Sequence, residues 1–211
     1  MLIAAPAFAN DDAQLWTSAT ATVNVGSHVR VSEEVVTRFS DFRHGLYEVE
    51  SNTLLGYRVA PHVTVWAGYT HDPLYDGGKF LVMERRAREQ ITYDDLLKLG
   101  PGIISARLRI EQRWRDGLAG TGWRVRPFIR YVVPLRPGSR TALAFSHENF
   151  VGLNSVVFRQ ATGEERMRNA VTLALPIAHR ATFEIGYLNQ HAFAGTQETD
   201  HAFTLAIGRT L

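Results

Sequence analysis

Residues 104–115 alternate between two kinds of side chain. Ile104, Ala106, Leu108, Ile110, Gln112 and Trp114 share one parity; Ser105, Arg107, Arg109, Glu111, Arg113 and Arg115 share the other. Wound as a helix, this pattern would spread charge over every side. Extended, it separates an apolar face from a charged one, because successive side chains point to opposite faces of a sheet. Residues 122–133 repeat the arrangement, with Trp123, Val125, Ile129, Tyr131 and Val133 against Arg124, Arg126 and Arg130. Weaker alternation runs through 15–25, 29–39, 63–70, 169–177, 182–187 and 203–208. No segment shows a convincing helical period.

Turn signals divide the chain into about eleven segments: 13–25, 28–39, 45–59, 62–71, 84–98, 102–115, 122–135, 140–149, 165–178, 180–190 and 199–211. Short turns are expected at 25–28, 60–62, 99–102, 136–139 and 178–180. Longer links are expected at 40–45, 71–82, 116–121, 149–166 and 190–198. Long strands, mid-strand charge and alternating short and long connections fit a transmembrane β-barrel better than a soluble sandwich. The expected fold is therefore all-β, a closed antiparallel transmembrane barrel of about 10–12 strands. Bacterial barrels usually have an even strand number and both termini on the periplasmic side. Twelve strands are favoured, with residues 156–160 supplying the missing one, and Pro127 is expected to mark a bulge.

Composition narrows the picture. The 211 residues are 45% hydrophobic with a formal charge of +2, and the mean hydropathy is -0.13. No stretch approaches the roughly 18 apolar residues of a membrane helix, and a barrel conceals its lipid face behind alternation. The basic residues are scattered rather than clustered, against nucleic-acid binding. Without cysteine the chain has no disulfide and no thiolate site. Residues 1–9 are apolar and end in Ala7-Phe8-Ala9, which reads as the remnant of a signal peptide; residues 10–211 then form one barrel domain.

Several segments in chain order carry a resemblance. They are Gln14-Leu15-Trp16-Thr17, Leu108-Arg109-Ile110-Glu111-Gln112-Arg113, Gly122-Trp123-Arg124-Val125-Arg126, Arg130-Tyr131-Val132-Val133-Pro134-Leu135 and Gly186-Tyr187-Leu188-Asn189-Gln190. Together they resemble a proteobacterial family catalogued as a domain of unknown function and grouped with outer-membrane β-barrels. The resemblance runs from about Gln14 to the C-terminus. It implies fold and location, and no reaction.

Candidate chemistry lies on the charged faces. Arg107, Arg109, Glu111, Arg113, Arg124, Arg126, Arg130, Glu34 and Glu48 are expected to face the lumen. Glu50 and Glu184 are further acids for the arginines. Such charges form either an ion-paired plug or a narrow anion-preferring path. Trp114, Trp123, Tyr69 and Tyr187 lie near the ends of apolar stripes and are read as an aromatic girdle. Ser146-His147-Glu148-Asn149, and His71 with Asp72 and Asp76, are the compact clusters weighed for a hydrolase at the extracellular rim. Adjacent strand residues face opposite ways, so no catalytic set is assigned. No metal ligand pair or cofactor motif stands out. The sequence thus reads as a monomeric outer-membrane barrel, a scaffold or an anion-preferring pore, exported through the periplasm. Its expected partners are outer-membrane lipid and the barrel-assembly machinery. A barrel enzyme at the rim and a soluble periplasmic β-protein are the alternatives.

Overall fold

Each alternating segment becomes one strand of a single sheet. The computed structural model describes residues 10–159, 162–195 and 198–211; the expected signal remnant, residues 1–9, lies outside them. The strands are β1 (Asn10–Val25), β2 (Val29–Ser40), β3 (Gly45–Ala60), β4 (Val63–Asp76), β5 (Lys79–Leu99), β6 (Gly102–Arg115), β7 (Gly122–Pro134), β8 (Ala142–Gly152), β9 (Gly163–Ala178), β10 (Ala181–Ala192) and β11 (Glu198–Thr210). Sequential neighbours pair antiparallel, and the sheet closes into a barrel.

The favoured count of twelve is corrected to eleven. Residues 156–159, within the segment expected to add a strand, form an isolated bridge between Val156 and Arg159. Side-chain bonds fold this link back onto β7. The Trp123 N–H donates to Asn154 Oδ1 at 2.7 Å, and Arg159 Nη2 donates to the Trp123 carbonyl at 2.9 Å.

An odd count has a geometric consequence. Up-and-down alternation brings β11 back in the direction of β1, so the seam is parallel, from Asn10↔Glu198 to Thr22↔Thr210. The expectation that the barrel begins and ends on one side is corrected as well. The start of β1 lies at the end of the barrel where β2, β4, β6, β8 and β10 finish, here called the loop end. The end of β11 lies with the links 26–28, 61–62, 100–101, 135–141 and 179–180, the turn end.

The link expected at 71–82 shrinks to two residues. β4 and β5 run on as a hairpin through Gly77 and Gly78, whose φ values of 55° and 75° suit the tight turn between twisted strands. Pro127 causes no bulge. It pairs with Leu108 on one side. On the other, the ladder breaks after Val125↔Val151 and resumes at Phe128↔Glu148 in the same register. A proline removes one donor, and two skipped pairs accommodate that without a register shift.

Burial is inverted relative to a water-soluble fold. Leu15, Val31, Leu55, Leu108, Ile129, Val171 and Phe203, from seven strands, are exposed on the outside. Asp72, Glu84 and Glu111 are 0% exposed inside, and Arg88 only 2%. Towards the turn end a Cβ on Gly56 would collide with the ring of Trp66, its partner on the adjacent strand.

The parallel seam is testable, since the chain has no cysteine of its own. Leu15→Cys with Phe203→Cys places two thiols on directly paired residues, a separation a disulfide can span. Oxidation should cross-link this pair in the folded protein and leave Leu15→Cys with Ile207→Cys open; equal cross-linking of both pairs would refute the register.

Candidate functional site

Every strand sends at least one polar or aromatic side chain into a ring in the loop-end half of the lumen. Three buried glutamates organise it. Glu84 of β5 accepts from Arg86 Nε at 2.7 Å, from Arg113 Nε and Nη2 at 2.8 and 2.9 Å, and from Arg115 Nε at 2.8 Å. Glu111 of β6 accepts from Arg124 at 2.9 and 2.5 Å and from Arg126 Nη1 at 2.7 Å. Glu148 of β8 takes the other edge of Arg126, with Nε at 3.1 Å and Nη2 at 2.9 Å, and also binds Arg107. The fork of a guanidinium matches a carboxylate edge, so each arginine can join two acids.

The ring continues through β2 to β4. Arg86 Nη1 donates to Glu50 at 2.8 Å and its Nη2 to Asp72. Arg38 donates to Glu50 at 2.5 Å and to Glu48. The remaining arc is closed by stacking. Arg38 and Arg168 flank the Trp16 ring, with their Cζ atoms 4.5 and 4.6 Å from its centroid. Arg168, Arg126 and Arg124 surround Phe150 at 4.5, 4.2 and 4.9 Å. Such contacts satisfy a desolvated cation without a second acid. Arg168 Nε reaches Gln190 of β10 at 2.6 Å, and Gln190 donates to Asp200 of β11.

Of the residues singled out in the sequence, Arg109, Glu111, Arg113, Arg124, Arg126 and Glu48 are buried in this network, and Arg107 reaches it through Glu148. Arg130 stands apart, half-buried and paired across two intervening strands with Glu184 at 2.8 and 2.9 Å. Glu34 joins no arginine; it accepts from Asn52 Nδ2 at 3.2 Å. Trp114 and Trp123 lie at the loop end of β6 and β7. Tyr69 and Tyr187 sit midway along β4 and β10, because those strands run on to Asp76 and Ala192. Exterior aromatics near the turn end are Tyr57, Tyr93 and Tyr131, and the Tyr131 hydroxyl donates to the Leu99 carbonyl at 2.9 Å.

Sequence reasoning missed Asp72, Glu84, Arg86, Arg88, Glu148 and Arg168 as members of the interior. A signal was present. Glu84, Arg86 and Arg88 recur at period two, as do Arg166 and Arg168. The clusters weighed for a rim hydrolase do not converge. His147 is on the outside, bonded to Asn169 at 2.7 Å, while Glu148 is inside. Likewise His71 is exposed and Asp72 fully buried. Among the described residues no group of His, Cys, Asp or Glu has the geometry to hold a metal.

Above the ring, at the loop end, lies a cavity of about 640 Å³. Ten arginines and four glutamates line it, which makes it a cationic vestibule with the ring as floor.

The ring should dominate stability. Glu111→Ala leaves Arg124 and Arg126 buried beside a lost carboxylate and should destabilise the barrel by about 3–5 kcal/mol. Glu111→Gln should cost less. The midpoint of urea unfolding, followed by the mobility of the folded band, reads the difference; an unchanged midpoint for Glu111→Ala would mean the ring is not structural.

A family described as "Protein of unknown function (DUF2490)" matches residues 13–201. An uncharacterized protein of Methylorubrum extorquens is 32% identical over 201 residues, covering 92% of this chain and 86% of that protein. No solved structure matches the chain. Since the family match and the relative both span most of the barrel, the chain belongs to the family described as "Protein of unknown function (DUF2490)".

Proposed function

We propose that this chain is an integral barrel of a bacterial outer membrane, its lumen stoppered by its own arginine–carboxylate ring. The inverted burial carries the proposal. Aliphatic and aromatic side chains cover the outside of successive strands, and the charged groups are inside. In water such an exterior would exceed by far the few hundred Å² of apolar patch that soluble monomers tolerate. In a bilayer it is the solvated face, and barrel closure satisfies every wall strand's backbone. Lipid is then the barrel's surroundings, and the assembly machinery of the outer membrane its partner during insertion.

Of the two roles read from the sequence, scaffold and anion-preferring pore, the ring favours the scaffold. Asp72, Glu84 and Glu111 are 0% exposed and paired with arginines of adjacent strands, a packing that works against the continuous path conduction needs.

Two measurements test these parts separately. The folded protein should sediment with outer membranes, resist extraction without detergent, and migrate faster before boiling than after. Release into the soluble fraction would overturn the membrane reading. In planar bilayers the native protein should show no steady conductance, whereas Arg86→Ala with Arg126→Ala should open a path. Anion-selective steps from the native protein would replace the stopper with the pore.

A further inference from the structure

The vestibule is more cationic than its own structure requires. Seven of its ten arginines belong to the ring and Arg159 pairs with Glu165, but two have no such partner. Among the described residues, Arg166 of β9 and Arg43 of the β2–β3 link make no side-chain hydrogen bond and no ion pair. Arg43 lies exposed at the mouth, 5.7 Å from the Tyr47 ring centroid. Arg168, next inward on β9, reaches a carboxylate only at 3.9 Å, from Glu148. Besides Glu148 its charged neighbours are Arg38, Arg126 and Arg166, and Arg166 in turn faces Asp200, Glu48 and Arg113. Like charges gathered at a partly desolvated wall repel one another, and an anion seated among them relieves that repulsion.

The far wall has a different character. Leu74, Leu81 and Val82 of the β4–β5 hairpin line the same cavity, four strands from β9 around the barrel. The space of about 640 Å³ is far larger than one oxyanion, and lies within the range of small-molecule pockets. A ligand fitting both walls carries a compact multivalent anion at one end and an apolar body at the other.

We propose that the vestibule binds an organic phosphate, its phosphoryl oxygens held by Arg43, Arg166 and Arg168 and its apolar part lying on the β4–β5 hairpin. A phosphate monoester suits the wall because it carries close to two charges and three acceptor oxygens, and guanidinium forks bind such oxygens in pairs. The phosphate could be that of a lipid headgroup or of a soluble ester; the recognising chemistry is the same.

Titration calorimetry of the refolded protein in zwitterionic micelles tests the site whether or not the barrel inserts into membranes. Phenyl phosphate should bind saturably at one site and inorganic phosphate more weakly, both against chloride at equal ionic strength. Arg43→Gln with Arg166→Gln breaks no internal pair, so the folded band should persist while phenyl phosphate affinity falls about tenfold or more. Leu81→Asn should remove the preference for phenyl phosphate over inorganic phosphate. Heat matched by chloride, or affinity unchanged in the double arginine variant, overturns the proposal. In phosphatidylcholine vesicles, displacement of phenyl phosphate by phosphatidic acid in the bilayer identifies the headgroup as the source. Retention of phenyl phosphate there identifies a soluble ester.

Discussion

A carboxylate removed from water needs donors on every side, and this barrel is arranged around three that have them. Glu84, Glu111 and Glu148 accept from guanidinium groups of their own and neighbouring strands. Arg126 joins two of these acids, and Arg86 ties Glu84 to Glu50 and Asp72. Buried ion pairs are often replaceable by apolar residues in a soluble core. Here the exterior already carries the apolar side chains, and alternation leaves the interior to the charged ones. Below the vestibule, the side chains that pack the lumen around the three acids are charged.

Several features depend on that ring. Its buried acids and their arginines form the floor of the vestibule, a cup at the loop end. It uses Phe150 and Trp16 as stacking surfaces where acids are too few, which leaves arginines of β9 without carboxylate partners of their own. The surplus of positive charge in the vestibule therefore follows from how the ring is completed. The parallel seam contributes too, since Trp16 enters from β1 and Asp200 from β11, the two strands that only closure brings together.

What the amino-acid sequence determined by itself is local. Period-two alternation made eight of the strands legible, because the pleat alone decides which side chains share a face, and turn signals bounded the other three. It also separated Arg124 and Arg126 from Trp123 and Val125, and so located the charged interior. Reading was weaker where alternation was interrupted: β4 and β5 extend through a glycine turn, and the charges of β5 lie in a strand whose faces are less uniform.

Tertiary structure alone decided the rest. Whether the barrel closes with eleven strands or twelve depends on how residues 153–159 fold against β7, a contact that no strand pattern encodes. Once the count is odd, the seam must be parallel, and the start of β1 and the end of β11 lie at opposite ends. Which acid meets which arginine depends on register between strands distant in sequence, so Arg130 pairs with Glu184 while Glu34 hydrogen-bonds Asn52. Alternation is a property of adjacent residues; closure and cross-lumen pairing are properties of the whole sheet, and they made charged faces into a ring and a cup.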